Sequence, residues 1–310
     1  MARLSAIVPA ADGPPTLPEC LRALAEAQEG PDETIVVSEP AGAGPAQARN
    51  EGARRASGDL LAFVDADVLV HRDALARLRA AFDSDPDLAA VFGSYDDAPR
   101  DPGVVSGFRN LLHHHVHQSS PGPAATFWSG LGAIRRDAFE ALGGFDEVRH
   151  PRYIEDIELG MRLAATGRRC VLDPRIQGTH LKAWTVRSMV ATDFAGRGVP
   201  WVALLLRTRA GGRERVALNL APRHRASAAV ALTAAAAIAT RRPALALGAL
   251  GALVALNRDL YALLARRRGP AEAVAGVGLH ALHHLVGVAA VPAGAIAYLR
   301  EQRRSGAQTG

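Results

Sequence analysis

Leu60-Leu61-Ala62-Phe63-Val64-Asp65-Ala66-Asp67 is an apolar run that stops on two aspartates one residue apart. Alternate residues of an extended segment project to the same side, so a strand ending in Asp-x-Asp offers two carboxylates to one ligand at the rim of a sheet. In open α/β folds that rim is where ligands bind. Carboxylate oxygens are hard ligands suited to Mg²⁺ or Mn²⁺, and such ions share their coordination shell with substrate phosphates. The pair reads as a metal clamp on a diphosphate, against the plainer alternative of solvated acids in a turn.

On either side of this strand the chain alternates between short apolar runs and helical periodicity. Residues 4–9 form a short run ending at Pro9, as a buried parallel strand does. Thr16 is placed as an N-cap, with Glu19 three residues on completing a capping box and Leu17, Leu21 and Leu24 marking the buried face. Residues 34–37 are a second strand, and residues 46–56 a helix stopped by Ser57-Gly58. Leu75, Leu78 and Phe82 recur at helical spacing and residues 88–92 read as a further strand, so the first hundred residues follow the pattern of a doubly wound sheet. A less regular stretch over 101–125 holds His113, His114, His115 and His117. Beyond it come a strand-like segment over 127–135, a short helix over 137–142 closed by Gly143-Gly144, a helical stripe of Ile154, Ile157 and Met161, and a strand over 169–172.

With 310 residues and 48% hydrophobic content, the chain has room for one large domain plus an appendage. Its net charge of +5 is carried by arginine, since Lys182 is the sole lysine, and it points only weakly to nucleic acid. Cys20 and Cys170 show no metal spacing, and their scarcity fits a reducing compartment. The apolar run near Met1 is too short for a signal peptide, so the first domain is expected in the cytosol.

Five further blocks accompany the Asp-x-Asp strand: Leu4-Ser5-Ala6-Ile7-Val8-Pro9, Thr34-Ile35-Val36-Val37, Gly44-Pro45-Ala46-Gln47-Ala48-Arg49-Asn50-Glu51-Gly52, Gly143-Gly144-Phe145-Asp146-Glu147 and Glu155-Asp156-Ile157-Glu158-Leu159. In this order they resemble the family 2 glycosyltransferases of GT-A fold, over roughly residues 4 to 206. The resemblance implies an α/β domain with a mostly parallel, doubly wound sheet, a nucleotide-diphosphate sugar as donor, and Mn²⁺ or Mg²⁺ as cofactor. It assigns Asp67 and His180 to the metal. Pro9, Glu39, Arg49, Asn50, Asp65 and Gly130 fall to the nucleotide sugar, with Gly130 and Gly132 forming a floor for the transferred hexose. Asp156 becomes the base that deprotonates the acceptor hydroxyl, with Glu155 in support. Relatives often carry two consecutive acids where this chain has Ser38-Glu39, and the Gln-x-x-Arg-Trp pattern of processive synthases is absent, which favours transfer of a single sugar.

After residue 206 arginines at 207, 209, 213, 215, 223 and 225 make a basic linker over 207–225, followed by membrane-associated helices over 226–300 and a polar tail over 301–310. A spanning helix needs ~20 apolar residues, so residues 226–240 and 244–256, broken by Arg241-Arg242-Pro243, suggest a tight hairpin. Residues 260–268 resemble an interfacial helix. Residues 271–299 are long enough to span, although His280, His283 and His284 would be costly in hydrocarbon unless paired. Arginines flank both apolar blocks, so an even number of spans or a re-entrant segment is expected. Together these features imply an inverting, metal-dependent transferase at the cytosolic face of the cell membrane, acting on a lipid or lipid-linked acceptor. Two other readings remain. One is a membrane scaffold with a decayed sugar-nucleotide fold. The other is a sugar-phosphate nucleotidyltransferase, whose Gly-rich, Arg-containing first loop is not found at Ala10-Ala11-Asp12-Gly13-Pro14.

Overall fold

The computed structural model describes residues 2–210 and 222–308. The chain forms two compact units, Met1–Asp101 with Leu112–Lys182, and Pro102–Leu111 with Ala183–Gly310.

The first unit is built on a sheet of strands β1 (Leu4–Pro9), β2 (Glu33–Val37), β3 (Leu60–Val64), β4 (Val68–Val70), β5 (Leu88–Tyr95), β6 (Gly122–Pro123), β7 (Leu131–Arg135) and β8 (Arg169–His180), in the order β2-β1-β3-β7-β5-β8-β4 with β6 also on β8. β2, β1 and β3 run parallel, as do β5 and β8, while β7 joins the two groups antiparallel to both. Helices α1 (Leu17–Ala25), α2 (Pro45–Arg55), α3 (Ala74–Ser84), α4 (Val104–Gln118, whose first turns count with the second unit), α5 (Arg136–Ala141) and α6 (Glu155–Ala165) complete the α/β, GT-A-type layout. Every residue of β3 and β5 is buried, which is why those strands read as continuous apolar runs. Phe63 of β3 lies against the rings of Phe127, Phe139 and Phe145 at centroid distances of 6.5, 5.6 and 5.2 Å. Gly52 lets α2 lie directly on β1, since a Cβ there would stand 2.3 Å from Ile7.

Several expectations are corrected. The capping box at Thr16 does not form: Thr16 is the N-cap without a side-chain bond, its hydroxyl has no partner, and Glu19 pairs with Arg100. Pro18 at the helix start removes one of the donors that such a cap serves. The stretch 101–125 is largely helix α4, its apolar face supplied by Phe108, Leu111 and Leu112. The segment 127–135 is a strand only from Leu131, and β8 runs well past Leu172, because its bulged register with β5 carries it on to His180. β4, three residues long, was invisible to periodicity.

The second unit is helical: α7 (Val186–Ala191), a π-helical segment (Thr192–Gly198), α8 (Val199–Ala210), α9 (Pro222–Ala239), α10 (Pro243–Leu256), α11 (Arg258–Arg268) and α12 (Pro270–Gln308). α7 and α8 thus fall in this unit, whereas composition suggested a boundary at residue 206. Among the described residues two helical stretches, Val186–Thr208 and Pro270–Arg304, are long and apolar enough to cross a membrane, and α10 with α11, bent by 82°, would make a third if they act as one. α9 and α10 form the expected hairpin, turning at Arg241 with φ of 56°. The histidines of α12 have polar company: His280 Nδ1 lies 2.9 Å from the Tyr261 hydroxyl, and His283 Nδ1 lies 2.8 Å from Asp193, which is also paired with Arg109. In the basic linker Arg207 pairs with Glu301 at 2.6 Å, while Arg213 and Arg215, like Thr309 and Gly310 of the tail, lie outside the described residues.

Candidate active site

Asp65 and Asp67 follow β3 in a turn, so the pair does not continue as extended strand. The backbone N–H of Asp65 donates to Gly130 O at 3.0 Å, and Asp67 O accepts from Leu181 N at 2.8 Å. β4 pairs with the end of β8 in a register that sets Val68 opposite His180, and this brings His180 Nε2 to 3.6 Å from Asp67 Oδ2. The imidazole of His180 is stacked on Tyr95 at 4.0 Å. Burial works to raise the Asp67 carboxyl, but the imidazole of His180 and the charge of Lys182 beside it outweigh burial and hold the group below the usual carboxylate range.

Asp65 turns the other way. Its Oδ1 accepts from Arg49 Nη2 at 2.6 Å, and Arg49 Nη1 donates to Glu155 Oε1 at 2.6 Å. Arg49 is buried, with Phe145 lying 5.7 Å from its guanidinium carbon. Burial raises Asp65 and pushes Glu155 up to about 7, with Arg49 opposing both shifts.

Asp156 stands beside Glu155 at the start of α6. Its Oδ2 accepts from the Ser129 backbone N at 3.1 Å and the Ser129 hydroxyl at 3.3 Å, and its Oδ1 accepts from Ile157 N at 2.7 Å. Gly160 makes this approach possible. It lies one turn along the same face, and a Cβ there would meet Phe127 N at 2.1 Å. The preceding Tyr153 is held at φ of 79° and is half-exposed, a conformation bulky residues rarely adopt.

Asn50 is committed to the neighbouring loop. Its amide nitrogen donates to Phe145 O at 2.9 Å and Glu147 Oε1 at 2.6 Å, and its oxygen accepts from Phe145 N at 2.9 Å. Gly143 and Gly144 reach this loop through positive φ, and a Cβ on Gly144 would lie 2.6 Å from Asn50 Oδ1. Gly130 is required by packing: a Cβ there would lie 2.4 Å from the Trp128 indole. Pro9 ends β1 opposite Val37, and Glu39 is exposed at the mouth of a groove of about 330 Å³ shared with Gln47, Glu51 and Arg54.

Sequence reasoning missed Ser129, Tyr95 and Trp128. Trp128 stands 4.8 Å from Tyr95 and 4.7 Å from His113, so part of the histidine cluster is one wall of this aromatic group. His113 and His117 do share a helix face at 4.0 Å, but His117 gives Nδ1 to Gly93 O at 2.9 Å. The only advance signal was position, Trp128-Ser129 directly before Gly130.

Among the described residues no group of three or more His, Cys, Asp or Glu is placed to hold a metal ion. An ion at Asp67 and His180 would therefore have two protein ligands and take the rest of its shell from phosphates and water, as Mg²⁺ commonly does. One carboxylate and one imidazole 3.6 Å apart fit that arrangement.

Residues 19–143 match the model of glycosyl transferase family 2. Over those residues the chain is similar to that family. The match stops short of Glu155, Asp156 and His180, which stand on the geometry above. A pre-mycofactocin glycosyltransferase of Mycobacterium tuberculosis is 29% identical over 179 residues, covering 53% of this chain and 36% of that protein. An N-acetylglucosaminyl-diphospho-decaprenol L-rhamnosyltransferase of the same organism is 32% identical over 106 residues, covering 34% of this chain and 32% of its own. The chain thus spans about a third of the length of these curated relatives. Among solved structures, a mannosyltransferase from Pyrobaculum calidifontis in complex with GDP-Man and Mn²⁺ superposes with a TM-score of 0.54 at 23% identity, covering 88% of this chain and 86% of that one. At that identity the likeness establishes the GT-A fold alone.

Proposed function

We propose that the chain transfers one sugar from a nucleotide-diphosphate sugar to a lipid or lipid-linked acceptor at the cytosolic face of a membrane, with inversion at the anomeric carbon. One observation carries this reading: adjacent residues Ser129 and Gly130 hold Asp156 and Asp65 respectively, so that the two acidic motifs meet at a single point of the sheet rim. Asp156 accepts the proton of the acceptor hydroxyl as that oxygen bonds to the anomeric carbon, while the bond from that carbon to the diphosphate oxygen breaks and the nucleoside diphosphate departs. Ser129 keeps the carboxylate turned toward the site. Asp67 and His180 are the residues that would hold Mn²⁺ or Mg²⁺, whose chemistry is Lewis-acid neutralisation of the departing diphosphate. Glu39 and the groove beside it suit recognition of the nucleotide, and Tyr95 with Trp128 forms an aromatic wall near the acceptor side.

The membrane part of the reading draws on the two long apolar helical stretches and on the decaprenyl-linked acceptor in the name of the rhamnosyltransferase relative. Purified full-length protein is offered UDP-, GDP- and dTDP-hexoses with Mn²⁺, while thermal unfolding and slow donor hydrolysis are followed. At least one donor is expected to raise the unfolding temperature and to be hydrolysed; no response to any of them refutes the proposal.

A further inference from the structure

Arg49 has the chemistry of a phosphate ligand and the position of a strut. We infer that Arg49 is a positioning residue, fixing the distance between the acid that ends β3 and the helix that carries Asp156, and that it does not contact the nucleotide. The inference rests on the glycosyl-transfer reading above.

Both terminal nitrogens of the guanidinium are engaged at 2.6 Å, one on Asp65 and one on Glu155, as short as the strongest charge-assisted bonds or shorter. Its side chain is 5% exposed, so a nucleotide phosphate would have to displace a carboxylate from a dry site to reach it. Glu155 has no substitute for this bond, because Oε2 is buried and without a hydrogen-bond partner. Glu155 also precedes Asp156 directly, so whatever fixes Glu155 fixes the first turn of α6. A buried carboxylate deprived of its cation moves toward water, and that movement releases the helix start. The planar fork reaches two acids on different elements at once, which the single nitrogen of lysine cannot do.

The test uses full-length protein, a panel of UDP-, GDP- and dTDP-hexoses with Mn²⁺, and the variants Arg49→Lys, Glu155→Gln and the double substitution. Arg49→Lys retains the charge, so the fold is expected to survive. Its kcat should fall by about 100-fold, the scale of an ångström-sized misplacement, with the donor KM nearly unchanged. The two substitutions should be non-additive, the double variant being no slower than the worse single one. A raised donor KM in Arg49→Lys with kcat intact, or multiplicative effects in the double variant, would overturn the inference in favour of a nucleotide contact. If the wild-type protein consumes none of the donors, the glycosyl-transfer reading falls separately. The strut is then decided by unfolding temperatures of the same four proteins: non-additive losses uphold it and additive losses refute it.

Discussion

Ser129 holds one oxygen of Asp156 twice, with its backbone N–H at 3.1 Å and its hydroxyl at 3.3 Å. A carboxylate fixed in this way keeps lone pairs for an incoming hydroxyl without swinging away from it. Replacing Asp156 by Asn preserves the shape and removes the proton acceptor, so transfer should fall by about 10²- to 10⁴-fold while nucleotide binding persists. Ser129→Ala loses only the longer of the two bonds and should cost less than about tenfold. Transfer rates set beside nucleoside diphosphate affinities for both variants check this; parallel loss of binding and transfer in Asp156→Asn would remove Asp156 from its role.

Asp67 and His180 should behave as a unit. Asp67→Ala is expected to abolish the Mn²⁺-dependent part of nucleotide stabilisation, with loss of apparent Mn²⁺ affinity beyond about 100-fold, the upper end for a lost outer-sphere partner. His180→Ala should act in the same direction and more weakly, since the carboxylate carries the charge. Chelation of the wild-type protein should reproduce the Asp67→Ala phenotype. Thermal unfolding with UDP or GDP, with and without Mn²⁺, reads all three.

The strands were legible where burial was total. β1, β3 and the start of β5 are apolar on both faces, so their composition alone marked them. β4 and the far end of β8 are held by pairing with each other and not by an apolar pattern, and no local signal distinguishes them. The acidic motifs were legible as residue types, but their partners were not. Arg49 and Asn50 stand side by side in α2, yet one reaches Asp65 and Glu155 and the other ties down Phe145 and Glu147. Only the three-dimensional approach of α2, α6 and the 143–147 loop separates those roles.

That loop offers a stability test. Gly144 combines φ of 74° with a site where a Cβ would lie 2.6 Å from Asn50 Oδ1. Gly144→Ala adds left-handed strain of about 1–2 kcal/mol and disturbs the Asn50 bonds, worth about 1 kcal/mol each. A fall in unfolding temperature of several degrees is expected, and Asn50→Ala should fall similarly. An unchanged melting temperature in both would show that the loop does not depend on this clamp.

Acid should weaken the fold through His117. Burial pushes this imidazole down to about 4 from an ordinary 6.5. The unfolded chain takes up the proton near 6.5 and the folded one only near 4. In that window the unfolded state binds more protons, and stability falls as the pH falls. Glu155, raised to about 7 from 4.5, acts in the opposite sense across a similar range, because there the folded state holds the extra proton. The difference between wild type and His117→Gln isolates the histidine: the stability lost between pH 7 and pH 4.5 should be smaller in the variant by roughly 2–3 kcal/mol. Equal losses in denaturant titrations would remove His117 as the acid-sensitive group.

α12 supplies the test of insertion. Val274, Val291, Ile296 and Leu299 are exposed along it, whereas Ala290 is fully buried, so one face is turned to its neighbours and the other presents apolar side chains outward. Carbonate washing is expected to leave the protein in the membrane pellet. An arginine at Val291, near the middle of the Pro270–Arg304 stretch, should cost about 2.5–3.5 kcal/mol of insertion free energy and shift a measurable fraction to the supernatant. The same substitution at Leu299 should cost far less, since a long side chain near a helix end can carry its charge out to the interface. Wild type released by carbonate, or equal behaviour of Val291→Arg and Leu299→Arg, would show that the exposed face of α12 meets water or protein and not hydrocarbon.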